Sequence, residues 1–399
     1  MGTAGWGPRR RRMKAVTVSL VAVSTMVIAA GCGGGGSSGA NNDAIKVGFY
    51  APESGFAAAD GKSAYDAAKL AVKHINADGG IKGADLELVN YDDASDPKQA
   101  VTIATKLIQQ DKVTAVVSGS YSDQTLAAAP IFQRSSVPMI AAYAVNPGIP
   151  STGDYIFQQD ETGTVQGRAG AIALADKLGA KKIAIVSVKN DFGEALVKGF
   201  TEQAQKLGAA VVATDFNQFG EKDFSPIIKR DLGLGADGFY MVQYAAEGQQ
   251  FIRAWNQLNV DLPLVGTEGI DTTTQFIEPV GKDAEGMVFT TSLNRESDNP
   301  QTQKFMKDYT AAYGHAPDMV AATTYDSFYV MAHAMETEGT DAKQIKDGIA
   351  ATKNFEAVTG TIVEYNDVGQ VVKAVELQQL KDGKVVSFGQ VSDPAVITP

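Results

Sequence analysis

IKVGFYAPESGFAAADGKSAYDAAKLAVKHINADGGIKGADLELVNY, residues 45–91, is the stretch that decides the fold. It opens with a short apolar run, IKVGFY, which is typical of a buried strand. From Lys62 to Asp78, alanine and aliphatic residues recur every three to four positions, which predicts a helix that ends at Gly79-Gly80. Residues 86–91 predict a second strand. Strand, helix and strand in this order predict a parallel βαβ unit.

The same alternation continues beyond this stretch and then starts a second time near residue 164. Strands are predicted at 113–118, 138–142, 182–188, 210–215, 237–242, 262–266 and 286–290, and helices at 97–110, 124–135, 164–179, 193–207, 226–230, 247–258, 300–313, 319–337 and 341–352. Strands with turns at Asn366-Asp367 and Asp382-Gly383 follow from about Thr359.

Two successive blocks predict an α/β protein with two doubly wound parallel-sheet lobes, joined by a hinge of several strands. We expect the first lobe to comprise residues 44–162 and 291–370, and the second to comprise residues 163–290 and 371–399. A cleft between two such lobes is a natural place for a ligand.

The N-terminus predicts export. Arg9–Arg12 and Lys14 form a basic patch, and an apolar run covers residues 15–30. This order is typical of a signal peptide, here residues 1–31, and the arginines allow either Sec or twin-arginine export.

Cys32 is the only cysteine of the chain and follows small residues. The junction resembles the lipobox of bacterial lipoproteins, except that Ala29 stands where leucine is usual. Lipidation of Cys32 would hold the protein on the outer face of a membrane, in the periplasm or at the cell surface. Residues 32–43 would then be a flexible tether. A plain cleaved signal peptide and an uncleaved anchor remain alternatives.

Composition and charge narrow the possible partners. The chain has 399 residues and a net charge of -11, which argues against nucleic acid as a partner. His74, His315 and His333 lie far apart, and one cysteine cannot form an internal disulfide. We therefore expect no metal site and no cofactor.

No motif predicts catalysis. Residues 35–39 match G-x-S-x-G, but they lie in the tether, with no strand before them and no helix after them. Residues 55–63 approach a phosphate-binding loop, but five residues separate the glycines where the motif needs four. The sequence predicts a binding protein and not an enzyme.

Six motifs carry a resemblance to a known family. In chain order they are Glu53-Ser54-Gly55 with Gly61, HINADGGIKG at 74–83, YDD at 91–93 with DPKQA at 96–100, NDFG at 190–193, GEKDF at 220–224 and AEGM at 284–287. With these motifs the chain resembles the leucine/isoleucine/valine-binding proteins of ABC transporters, which have the type I periplasmic binding protein fold. The resemblance covers residues 45–390, nearly the whole mature chain.

The resemblance implies that the cleft binds the two charged groups of an amino acid. Ser122 matches the serine that binds the carboxylate, and its place just before a helix from Gln124 agrees with anion binding. An ordinary N-cap serine is the alternative. Glu268 matches the carboxylate that pairs with the ammonium, although by itself it would be a solvated loop acid.

The resemblance also implies contacts with the rest of the ligand. The backbone of Tyr143 and Ala144 would flank its head group. Phe192 and Tyr244 match aromatic positions that cover the ligand, and packing within a lobe is the alternative for both.

Four positions depart from the family or add polarity. Val145 replaces a threonine whose hydroxyl holds the ligand head. Asp60 stands where a bulky apolar residue is expected, and Tyr121 and Tyr143 add phenol groups. These groups argue against a purely aliphatic ligand and favour a polar or aromatic relative of the branched-chain amino acids.

The expected function is therefore that of a receptor which binds an amino acid and presents it to the permease of an ABC importer. A ligand sensor of a signalling system with the same fold is the first alternative. A hydrolase of small amides or esters is the second.

Overall fold

The computed structural model describes residues 44–399. The predicted signal peptide, the predicted lipidation site Cys32 and the predicted tether lie outside the described residues. The strands are β1 Ile45–Ala51, β2 Leu86–Asp92, β3 Ala115–Ser118, β4 Met139–Ala141, β5 Ile156–Gln158, β6 Lys182–Val188, β7 Ala210–Asn217, β8 Gly238–Val242, β9 Leu264–Gly266, β10 Val288–Thr291, β11 Lys353–Ala357, β12 Gly360–Tyr365, β13 Val371–Val372, β14 Val375–Lys381 and β15 Lys384–Val391.

Helices alternate with these strands through most of the chain. They are α1 Ala58–Ala77, α2 Pro97–Lys106, α3 Ser122–Arg134, α4 Gly163–Ala171, α5 Asp191–Lys206, α6 Ser225–Gly233, α7 Ala245–Gln257, α8 Glu278–Val280, α9 Pro300–Tyr313, α10 Met319–Thr337, α11 Ala342–Ala351 and α12 Pro394–Ile397. Wider turns of π-helix extend α2 through Asp111 and α4 through Lys177.

The first sheet is fully parallel, with strand order β2-β1-β3-β4-β5. Strands β1, β3, β4 and β5 are buried on both faces, as expected when helices cover both sides, whereas the edge strand β2 is only partly buried. One core packs α1 and α10 against the sheet, around Phe49, Phe328 and Met331. The other core lies on the α2 and α3 side, around Tyr50 and Phe132.

The second sheet has the order β15-β14-β10-β9-β8-β6-β7. Strands β6 to β10 are parallel, whereas β14 and β15 add to its edge as antiparallel strands from the C-terminal end of the chain. A smaller antiparallel sheet contains β11, β12 and β13. This layout confirms the expected α/β architecture with late strands returning to an earlier sheet.

Within residues 44–399 the chain passes twice between the sides of the two large sheets, and a third time from the small sheet to the second large sheet. The connecting segments are residues 159–162, 292–299 and 373–374. The first two lead from a strand of one sheet to a helix on the other side, and the third joins β13 to β14.

The structure corrects the sequence-based elements in several places. Strand β5 and the short helices α8 and α12 were not predicted. Helix α1 begins at Ala58 instead of Lys62, so Asp60 lies in its first turn and not in a loop. Helix α3 begins at Ser122 with Tyr121 at the N-cap, so the N-cap interpretation of Ser122 is wrong.

No helix among residues 44–399 has the length and apolar character needed to cross a bilayer.

Candidate functional site

A cavity lies between elements of the two large sheets. It is narrow in this structure, with a cavity volume of about 20 Å³. Its lining residues are Asp60, Tyr121, Ser122, Tyr143, Phe192, Tyr244, Glu268, Gly269, Met319 and Val320. Larger depressions occur elsewhere in the described chain, and the two beside Trp255 and Tyr329 are each lined from one side only.

Most lining residues follow the carboxyl end of a parallel strand. Tyr121 follows β3, Tyr143 follows β4, Phe192 follows β6, Tyr244 follows β8 and Glu268 follows β9. Ligands of open α/β sheets bind at this edge because helices start there and leave their first N–H groups unpaired.

Ser122 lies at the first position of α3 and is buried. The first N–H groups of a helix have no acceptor within the helix, and the helix dipole favours negative charge beside them. The Ser122 hydroxyl accepts a hydrogen bond from the Asn146 backbone N–H at 3.3 Å. Its own hydrogen can therefore be donated to an anion in the cavity.

Glu268 lies on the opposite side of the cavity, at the start of a short turn after β9. Its side chain is buried, and its Oε2 accepts a hydrogen bond from Gln166 Nε2 at 2.6 Å. Burial raises the pKa of Glu268 well above its usual range, and the nearby carboxyl of Asp160 raises it further. A cation bound beside Glu268 would offset both effects.

Asp60 is a third polar group of the cavity. It is buried, and one of its carboxyl oxygens accepts a hydrogen bond from the Tyr121 hydroxyl. Burial raises the pKa of Asp60 to about 7, against the lowering effect of the Tyr121 hydrogen bond. Repulsion from Asp318 and Asp271 adds to the rise.

Aromatic side chains from both sheets meet around the cavity. The rings of Tyr121 and Tyr244 are stacked, with centroids 4.8 Å apart. Phe192 stacks on Tyr244 at 4.9 Å. Phe56, which follows β1, contacts Phe219, which follows β7, at 5.0 Å. These contacts join the two sides across the opening.

The residues proposed from sequence are largely brought together. Asp60, Tyr121, Ser122, Tyr143, Phe192, Tyr244 and Glu268 all line the cavity. Ala144 and Val145 are buried outside the lining. The Ala144 carbonyl accepts a hydrogen bond from Gln158, and the Val145 side chain packs in a core of the second sheet.

Sequence reasoning missed Gly269, Met319 and Val320 in the lining, and the contact of Phe56 with Phe219. Both phenylalanines follow the carboxyl ends of parallel strands, and this was a usable signal. Met319 and Val320 open α10, far along the chain, and no local pattern places them here.

Among residues 44–399, no group of three or more His, Cys, Asp or Glu side chains has a geometry suited to a metal ion.

Comparison with known proteins agrees with this architecture. Residues 44–384 match the model of a family described as periplasmic binding protein. The chain belongs to the periplasmic binding protein family.

Relatives of this binding protein are known by sequence and by structure. The leucine-specific-binding protein of Salmonella typhimurium is 31% identical over 290 residues, which are 72% of this chain and 75% of the relative. The substrate-binding protein LivJ of a branched-chain amino acid transporter from Streptococcus pneumoniae, solved with isoleucine, has a TM-score of 0.81 at 29% identity, covering 87% of this chain and 99% of its own. A solute-binding protein from R. palustris, solved with benzoate, has a TM-score of 0.79 at 26% identity, covering 88% of this chain and 98% of its own.

The segments that connect the two sheets of this binding protein carry a buried polar cluster behind Glu268. The Ser292 hydroxyl lies within hydrogen-bonding reach of the Asp160 and Glu161 carboxyls. Lys373 Nζ lies 3.9 Å from Glu161 Oε1. Burial raises the pKa of Glu161 well above its usual range, with Lys373 opposing the rise. Burial therefore disfavours the charged forms of both Glu161 and Glu268, and the pKa of each is raised.

Proposed function

We propose that the protein is an extracytoplasmic receptor of an ABC importer and binds an amino acid in the cavity between the two sheets. The ligand is a branched-chain amino acid or a more polar or aromatic relative. The observation that carries this proposal is the position of Ser122 and Glu268 in one cavity, each supplied from the side of a different sheet.

The two groups suit the two charges of an α-amino acid. The carboxylate would accept hydrogen bonds from the Ser122 hydroxyl and from N–H groups at the start of α3. The ammonium would pair with Glu268, whose buried carboxyl lies beside Asp160 and has no cationic side chain in contact among residues 44–399. The ligand carboxylate would thus face hydrogen-bond donors, and the ligand ammonium would face a carboxylate.

Closure follows from the division of these contacts. We propose one lobe of residues 44–162 and 291–370, and a second of residues 163–290 and 371–399, with the three connecting segments as the hinge. A ligand that contacts Ser122 from one lobe and Glu268 from the other makes all its contacts only when the lobes are closed. Such a ligand shifts the population toward the closed form.

The relatives support both parts of the ligand proposal. One of them is leucine-specific and another was solved with isoleucine, which favours an amino acid. A third was solved with benzoate, which shows that this fold also accepts an aromatic acid. The phenylalanine and tyrosine rings around the cavity are compatible with either kind of side chain.

The remaining steps of transport are proposed from the sequence. Lipid on Cys32 would anchor the receptor to the membrane surface, and the tether would let it reach the permease. The ligand would be handed over unchanged, so the protein would act as a receptor and not as an enzyme. Globomycin-sensitive processing and radiolabelled palmitate incorporation that is lost in Cys32→Ser would support the anchor.

Identification of the bound solute tests the main proposal. Native mass spectrometry of the purified protein, followed by calorimetry with a panel of amino acids and aromatic acids, should reveal an α-amino acid that is recovered intact. Glu268→Gln should weaken its binding, whereas Glu278→Gln, at an exposed position on the second-sheet side, should not. Conversion of the solute to a new product, or equal affinity in both variants, would contradict the proposal.

A further inference from the structure

Asp60 has features that amino-acid head-group recognition does not use. It lies in the first turn of α1, lines the cavity and is 9% exposed. The carboxylate and the ammonium of an amino acid are already matched by Ser122 and Glu268. Asp60 is therefore available to a third group of the ligand.

The hydrogen bonds of Asp60 are incomplete on the protein side. Tyr121 donates to Oδ2, and within residues 44–399 no N–H or O–H group donates to Oδ1. Because Asp60 lines the cavity and keeps 9% of its surface exposed, a ligand there can supply a donor to this oxygen.

The charged side chains in the cavity lining are also all acidic. Two carboxyl side chains, Asp60 and Glu268, are in the lining, and it contains no lysine, arginine or histidine. Asp318 and Asp271 stand behind Asp60, and Arg295 is engaged in a bidentate contact with Asp271. A single ligand ammonium at Glu268 leaves the negative potential at Asp60 uncompensated.

We infer that the ligand side chain ends in a hydrogen-bond donor, such as an amide, a hydroxyl or an ammonium group, which binds Oδ1 of Asp60. This inference rests on the proposed function. It makes Asp60 the residue that separates polar-ended amino acids from leucine, isoleucine and valine.

The other residues of the cavity lining indicate what the middle part of that ligand side chain, its stem, is made of. Tyr121, Phe192 and Tyr244 present ring surfaces, and Met319 and Val320 present aliphatic surface. The stacked rings of Tyr121 and Tyr244 leave no space between them, so the stem must run along them. The expected ligand has an apolar stem and a polar tip.

The acid–base state of Asp60 agrees with such a ligand. Because burial raises its pKa to about 7, Asp60 exchanges its proton near neutral pH. The titratable and charged groups that face it come from several elements. They are Tyr121 at the start of α3, Tyr143 after β4, Asp318 at the start of α10, Asp271 with its partner Arg295, and Tyr244 from the other side of the cavity. A cationic tip would draw Asp60 into its charged form, and a neutral tip can bind either form.

A small ligand panel tests the inference. Calorimetry on refolded, ligand-free protein at pH 7.5 would compare leucine, glutamine, ornithine and glutamate. Glutamine or ornithine should bind at least about tenfold more tightly than leucine, because a hydrogen bond to a buried carboxylate is among the stronger ones. The ratio of ornithine to glutamine then separates a cationic tip from a neutral one.

Two variants of Asp60 and one control isolate its role. Asp60→Asn should reduce the advantage of the donor ligand over leucine by about tenfold, and Asp60→Leu should favour leucine. Asp66→Asn is the control, because Asp66 is buried in the same helix but pairs with Lys62 and Lys69 away from the cavity. Its affinity ratio should equal that of the parent, and thermal melts would verify folding of all three variants.

The outcomes distinguish this inference from the proposed function. If amino acids bind but leucine, isoleucine or valine binds most tightly, or if Asp60→Asn leaves the ratio unchanged, the donor-tip inference is wrong and the receptor function stands. If no α-amino acid binds, both are wrong.

Discussion

Replacement of Asp60 by asparagine should stabilise the ligand-free protein at alkaline pH and have little effect at acid pH. Asparagine keeps an oxygen that can accept the Tyr121 hydrogen bond, but it carries no charge. The change therefore removes mainly the cost of a buried carboxylate.

The magnitude follows from the pKa of Asp60, which rises from 3.8 to about 7 on folding because the side chain is buried. The folded protein holds the proton more tightly than the unfolded chain, so the stability of the parent falls as pH rises from about 4 to about 7. The variant lacks this loss. Its advantage in unfolding free energy should be about 1 kcal/mol at pH 4.5 and about 4 kcal/mol at pH 8.

Urea denaturation at these two pH values measures the difference, with the fluorescence of the buried Trp255 as the probe. Other buried acids such as Asp93 and Asp326 titrate in the same range, but they are present in both proteins and cancel. The reasoning would be refuted by a difference that does not change between pH 4.5 and 8, or by a variant that is less stable than the parent at pH 8.

Three further substitutions test other parts of the structure. Glu268→Gln should raise the dissociation constant of the amino acid at least about 30-fold in calorimetry, because the ammonium loses a buried charged partner; a change below threefold would argue against that pairing. Phe219→Ala removes the ring contact with Phe56 across the opening, worth about 1 kcal/mol, and should speed ligand release several-fold in stopped-flow measurements; an unchanged release rate would mean that the contact does not hold the closed form. Asp326→Ala should lower the unfolding free energy by about 3 kcal/mol in urea titrations, because two backbone N–H groups and the Thr359 hydroxyl lose their acceptor; ligand affinity should stay within threefold of the parent.

The fold could be predicted where local pattern and tertiary environment agree. Strand β6 and helix α10 match their predicted bounds, since an apolar run between turns and a continuous helical repeat are sufficient signals. Strand β5 was missed because its apolar run is only Ile156 and Phe157, and its pairing with β4 is what makes it a strand. The π-helical turns after α2 and α4 were not predicted either.

The site could be predicted wherever a residue follows a parallel strand. Tyr121, Phe192 and Glu268 are brought together by the sheet edge itself, so their chain positions already carry spatial information. Met319 reaches the cavity through the packing of α10 on α1, which depends on many side chains at once. Val145 shows the converse: it is two positions from Tyr143, yet its side chain packs into the second-sheet core.

At Asp60, the helical pattern of the sequence and the effect of burial in the fold can be compared directly. Helical periodicity alone gives no reason for a carboxylate on the inward side of the first turn of α1, and burial there raises its pKa instead of stabilising its charge. Asp60 thus departs from the helical pattern and lowers the stability of the free protein. Such positions are expected at functional sites, where the ligand supplies the hydrogen-bond donor that the protein lacks. If that is its role, the stability gained by Asp60→Asn in the free protein and the selectivity lost by the same variant have one physical origin. Asp66→Asn should show neither the gain in stability nor the loss of selectivity, because the buried Asp66 carboxylate is already paired with Lys62 and Lys69.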